Sequence, residues 1–162
     1  MKIGIFKTAA AMLLFLAAAA PAAETEKSFT LRAASADIFE TTGTQYGIGY
    51  GITSFARNGF VWGIDFDLDY LDLDGADVWG YGTALRLGYA LLQNDLQFYV
   101  LGGALVQSMP GGSGYGFGFG GGADYRLFTH LRVGAEYRTF TITREVGDYD
   151  YTQASGFVKF VW

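Results

Sequence analysis

Residues 60–70 read Phe60-Val61-Trp62-Gly63-Ile64-Asp65-Phe66-Asp67-Leu68-Asp69-Tyr70. Every second residue is large and apolar, and those between are mostly small or acidic. Successive side chains of a β-strand point to opposite faces, so this stretch reads as a strand with one apolar face and one carboxylate face. A period of two, not 3.6, decides the secondary structure.

The same period continues on either side. Tyr46, Ile48, Tyr50 and Ile52 alternate with Gln45, Gly47, Gly49, Gly51 and Thr53. Trp79, Tyr81, Leu85, Leu87 and Tyr89 alternate with Gly80, Gly82, Ala84, Arg86 and Gly88. Tyr115, Phe117, Phe119, Ala123 and Tyr125 alternate with glycines, Asp124 and Arg126, and Leu131 to Tyr137 alternates with Arg132, Gly134, Glu136 and Arg138. Val158, Phe160 and Trp162 close the chain against Phe157, Lys159 and Val161. Phe29 to Ile38 adds a strand with Arg32 on its polar face. Leu96 to Gln107 is apolar on both faces, so its register is open; Gly102 and Ala104 suit the crowded side. Eight strands are predicted, at 28–38, 44–54, 59–71, 78–90, 95–107, 114–126, 130–144 and 151–162. Pro110 predicts a loop over 109–114.

The N-terminus reads as a secretory signal peptide, residues 1–22. Lys2 and Lys7 are its positive region, Thr8 to Ala20 its apolar core, and Ala20-Pro21-Ala22 its small-residue cleavage site, with cleavage expected after Ala22 or Ala23. Thirteen residues are too few for a spanning helix, which needs about 20. Export through the Sec pathway is expected, leaving one domain at 23–162. Removing two lysines takes the formal charge from −5 to −5 − 2 = −7. The absence of Cys rules out disulfides and thiolate metal sites, and an acidic chain without basic clusters makes a poor nucleic-acid binder.

A soluble sandwich or lipocalin-like barrel would bury the apolar face. Here that face is uniformly large and aromatic, while the other combines glycine with charge. An eight-stranded lumen has room only for side chains or one small ligand. The inverse arrangement fits every strand: apolar side chains toward lipid, charges and glycines toward the lumen. Closure is then obligatory, because unpaired backbone in hydrocarbon costs several kcal/mol. With both termini periplasmic, Trp62, Tyr89, Tyr125 and Trp162 form one aromatic belt and Tyr70, Trp79, Tyr115 and Tyr151 the other. The fold class is all-β: an eight-stranded antiparallel up-and-down transmembrane β-barrel after a cleaved signal peptide.

The signal peptide, the alternating strands and the terminal Val158, Phe160 and Trp162 resemble the small OmpA/OmpX-type outer-membrane β-barrels of Gram-negative bacteria. The resemblance implies location in the outer membrane, contact with its lipid and lipopolysaccharide, and assembly by the barrel-assembly machinery through those three C-terminal residues. It also implies a non-enzymatic role in envelope integrity or surface interaction. No peptidoglycan-binding domain follows Trp162, so a cell-wall anchor of the OmpA kind is not expected, and short connections weaken an adhesin analogy.

The lumen is expected to hold Asp65, Asp67, Asp69, Asp124 and Glu136 with Arg32, Arg86, Arg126, Arg132, Arg138 and Lys159. Gly47, Gly49, Gly51, Gly80, Gly82, Gly88, Gly116, Gly118, Gly120 and Gly122 make room for them. Buried charges persist when paired, so a charge-plugged lumen is the principal reading and a narrow porin-like ion or solute channel the alternative. Asp65-x-Asp67-x-Asp69 favours arginine partners over a metal. Leu71 to Asp77 lacks the spacing and closing Glu of an EF-hand, and Gly111 to Gly122 lacks the lysine and helix of a phosphate loop. A lipid A-modifying enzyme is the least favoured alternative: His130 is the sole histidine, it sits in a turn, and Leu131 and Arg132 follow it where the deacylase-like pattern has a serine. No cofactor, metal or nucleic acid is expected. A monomer is, with Asp74, Asp77, Asp148 and Asp150 on the exposed loops.

Overall fold

A computed structural model describes residues 22–38, 41–73, 76–145 and 147–162, so the expected signal peptide lies almost wholly outside the described residues, as do Asp74 and Gly75. The strands are β1 Ala22–Ile38, β2 Thr41–Ala56, β3 Phe60–Leu73, β4 Ala76–Leu91, β5 Leu96–Met109, β6 Gly112–Phe128, β7 Leu131–Thr143 and β8 Tyr149–Val161. Each pairs antiparallel with its sequence neighbour, and β1 with β8 closes the ring. Among the described strands no edge is left unpaired, which is what a hydrocarbon surround demands of a sheet.

The pairing register fixes the geometry. Following register partners around the wall from Lys27 leads through Ile52, Ile64, Leu85, Gly102, Phe119, Thr139 and Thr152 to Asp37, ten residues further along β1. Eight strands with a shear of ten tilt by about 40° from the axis.

The apolar faces look outward. Phe117 is 73% exposed and Phe119 71%, whereas Asp124 and Arg132 are buried at 2% and 1%. Three expectations are corrected. The first is Tyr151, placed above in an aromatic belt on the lipid side. It is 2% exposed and points into the lumen, because the unbroken alternation of β8 that sends Val158, Phe160 and Trp162 out sends every odd residue in. The other seven belt residues, Trp62, Tyr70, Trp79, Tyr89, Tyr115, Tyr125 and Trp162, are on the outer face.

The second correction concerns β5, where Gly102 and Ala104 face outward and Gln97, Tyr99, Leu101, Leu105 and Gln107 face inward. Placing the two glutamines in lipid would leave their amides unpaired; inside, they find partners. The third concerns the expected 109–114 loop. Met109 pairs with Gly112, so only Pro110 and Gly111 connect β5 to β6. Positive φ at Gly111 (91°) and Gly112 (132°) permits that tight return.

Candidate functional site

The inner face is built in layers. At the end holding the chain termini, Phe55, Val61 and Ala90 pack together. Arg132 lies above them, its guanidinium 5.7 Å from the Phe55 ring centre. Arg132 donates from Nη1 to Asp124 (2.8 Å) and from Nε to Glu26 (3.3 Å). The Gln97 carboxamide oxygen, turned toward it, accepts at 2.8 and 3.0 Å. Arg126, partly exposed at this rim, pairs with Glu26 and, at 3.5 Å, with Asp95.

One layer further, Arg86 bridges Asp65 (2.9 Å) and Asp124 (3.3 Å) and lies 3.9 Å over the Tyr99 ring. Lys159 reaches Asp124 at 3.5 Å. Midway along the barrel, Asp67 accepts from Arg138 at 2.6 Å and from Arg32 at 3.1 Å. Arg32 also reaches Asp69 (3.4 Å) and Glu136 (3.8 Å), Arg138 donates to Glu136, and the Tyr99 hydroxyl donates to Glu136 at 3.1 Å.

Across the wall, Asp65, Asp67 and Asp69 stand opposite Gly51, Gly49 and Gly47 on β2. A Cβ on Gly49 would lie 2.7 Å from the Asp67 carboxylate, so the glycines give the carboxylates their space.

Beyond the charges lies a neutral polar layer. The Tyr149 hydroxyl donates to Gln107 (2.7 Å), and the Tyr151 hydroxyl contacts Gln45 and, at 3.4 Å, Gln153. Above it Ile38, Leu71, Val78, Phe140 and Ile142 close the loop end. Sequence reasoning placed charge in the lumen but overlooked this apolar stopper, and it overlooked Glu26 and the tyrosine–glutamine layer. Parity carried the signal for Glu26, which shares its face with Ser28, Thr30 and Arg32.

Among the described residues, with Glu26 included and the half-exposed Asp95 at the rim set apart, six buried carboxylates (Glu26, Asp65, Asp67, Asp69, Asp124, Glu136) meet six cations (Arg32, Arg86, Arg126, Arg132, Arg138, Lys159). Two cavities within the lumen have volumes of about 10 Å³ each. One lies beside Arg32, Asp65 and Glu136, the other beside Gln45, Asp69 and Tyr151.

Other singled-out residues lie apart from this network. His130 is exposed in the β6–β7 turn, its Nδ1 3.0 Å from the Val161 carbonyl oxygen. Asp77 accepts from the Tyr70 hydroxyl (2.7 Å) and Asp150 from Thr141 (3.0 Å), while Asp148 is exposed.

No curated protein matches the chain. Among solved structures it is similar to Neisserial surface protein A, with a TM-score of 0.62 at 12% identity over 84% of this chain and 96% of that one. It is also similar to the outer membrane enzyme PagL, with a TM-score of 0.56 at 14% identity over 81% and 98%. Ail of Yersinia pestis aligns with a TM-score of 0.52 at 13% identity over 86% and 100%. At such identities the likeness is one of fold. The sequence itself matches a family over residues 8–160. With the closed antiparallel ring and its outward apolar face, that match makes the chain a member of the outer membrane protein beta-barrel domain family, resident in the bacterial outer membrane.

Proposed function

We propose that this barrel is a closed, non-enzymatic component of the outer membrane, contributing to envelope integrity or surface interaction, whose lumen is a permanent plug. The observation that carries the reading is the stacking of one ion-pair network beneath one apolar stopper, with cavities of only about 10 Å³ between their side chains. Such a volume suits a single water and not a file of them. Opening a path would require separating ion pairs such as Arg138–Asp67 in a poorly solvated interior, where a broken pair costs about 3–5 kcal/mol.

A non-catalytic role for His130 is supported by its place in the exposed β6–β7 turn, apart from the buried ion-pair network. Lipid and lipopolysaccharide are the proposed surroundings. Val158, Phe160 and Trp162, outward on the closing strand, are the proposed contact with the barrel-assembly machinery, and the barrel is proposed to act as a monomer. Planar-bilayer recording of purified protein tests the plug. A flat current trace is expected, and discrete single-channel steps from the folded form overturn it.

A further inference from the structure

The outward apolar band is not of even height. At a tilt of about 40°, each residue climbs about 2.5 Å along the axis, and each step to the next strand around the ring climbs about 3 Å. On β3, β4, β5 and β6 the band runs up to Tyr70, Trp79, Val106 and Tyr115, about 21–26 Å above Lys27. On β7, β8 and β1 it stops at Tyr137, Ala154 and Ala33, about 14–17 Å above the same origin. Above that line the outward residues are Thr139, Thr141, Asp150, Thr152, Ser35 and Asp37. Thr152 stands level with Val106, and Thr139 with Tyr81, across the barrel.

These polar groups bond along the wall. Thr141 donates to Asp150 at 3.0 Å, and Asp37 accepts from Thr42 at 2.5 Å and from Thr152 at 3.5 Å. Every carboxylate so held remains open to the surroundings on its outer side, and both Asp37 and Asp150 are exposed. Hydrocarbon cannot solvate a carboxylate, and a band shorter than the membrane is met by thinning of the bilayer.

We infer that the leaflet at the loop end is drawn down by about 8 Å against the β7–β8–β1 wall, so that lipid headgroups and their water cover Thr139, Thr152 and Ser35. The opposite wall meets a leaflet of ordinary thickness. A second copy does not suit this surface, because a two-fold contact would set Asp37 and Asp150 against their own counterparts.

The absence of cysteine makes the test direct. Single variants Thr139→Cys, Thr152→Cys, Tyr81→Cys and Val106→Cys carry a nitroxide, and the barrels are refolded into dimyristoyl phosphatidylcholine vesicles. Folding of each is checked by heat-modifiable gel mobility. Collision of the label with a water-soluble nickel chelate relative to oxygen is expected to be several-fold higher at Thr139 and Thr152 than at Tyr81 and Val106. Equal ratios at matched heights overturn the inference. Dipolar broadening between labels at Thr152 of neighbouring molecules also overturns it, in favour of a self-contact. With two sites on each wall, loss of one variant to misfolding leaves the comparison intact.

Discussion

Asp67 is the residue on which the middle of the lumen turns, because it joins Arg32 and Arg138. Asp67→Asn leaves two guanidiniums short of a counter-charge, and urea unfolding from vesicles should show a loss of about 3–5 kcal/mol. Its neighbour across the wall is sensitive for steric reasons. A Cβ at Gly49 meets the Asp67 carboxylate at 2.7 Å and the Phe66 carbonyl at 3.2 Å, so Gly49→Val should cost about 1–3 kcal/mol. Gly102 has nothing within 4 Å of its would-be Cβ. Gly102→Val should therefore be neutral or stabilising by up to about 1 kcal/mol, since strands favour β-branched residues. A destabilised Gly102→Val would contradict the outward orientation of that position. The β2 glycines could be read from sequence because each alternates with a large apolar residue. Gly102 could not, since its neighbours Leu101 and Gly103 carry no polarity and glycine itself announces no face.

At the scale of the element, polar residues at the strand ends settle what apolar middles leave open. Gln97 and Gln107 share a parity, and that parity turns all of β5 with them. Tyr151 misleads for the opposite reason: it is aromatic and sits where a belt is wanted, yet period-two geometry ties it to Lys159 on the inner face. Tyr151→Phe removes the hydroxyl that meets Gln45 and Gln153, and should lower stability by about 1–3 kcal/mol.

The position of the β4–β5 connection was legible in the sequence, but its conformation was not. Leu92, Gln93 and Asn94 all adopt positive φ, at 52°, 58° and 73°. Arg132 grips the turn from inside through the Asn94 and Asp95 carbonyl oxygens, at 2.5 and 3.4 Å. A non-glycine residue in that conformation costs about 1–2 kcal/mol, so Gln93→Gly should raise the unfolding free energy by about 1 kcal/mol, measured in the same urea assay.

For the whole molecule, strand number, antiparallel order and the inside-out distribution of polarity were all legible, because each follows from local alternation repeated eight times. The shear of ten was not, since it is the sum of every register around the ring and no single stretch contains it. Nor was the apolar stopper, which gathers residues from β1, β3, β4 and β7. The ion pairs it covers are shielded from solvent. Raising NaCl from about 0.05 to 1 M, which shortens the screening length to about 3 Å, should barely move the unfolding midpoint. A large downward shift would mean that salt reaches the lumen.

The seam between β1 and β8 is also built like the rest of the wall. Lys27 and Trp162 exchange main-chain hydrogen bonds of 3.0 and 3.1 Å, and the ladder continues from there to Ile38 and Tyr151. To the ring, the seam is only another hairpin with its turn left out. Joining Glu24 to Trp162 by a short flexible linker and opening the chain instead at the Pro110–Gly111 turn should yield the same barrel from a permuted sequence. In such a molecule Trp162 would complete the wall from an internal position, which would separate closure of the ring from the proposed contact of Val158, Phe160 and Trp162 with the barrel-assembly machinery.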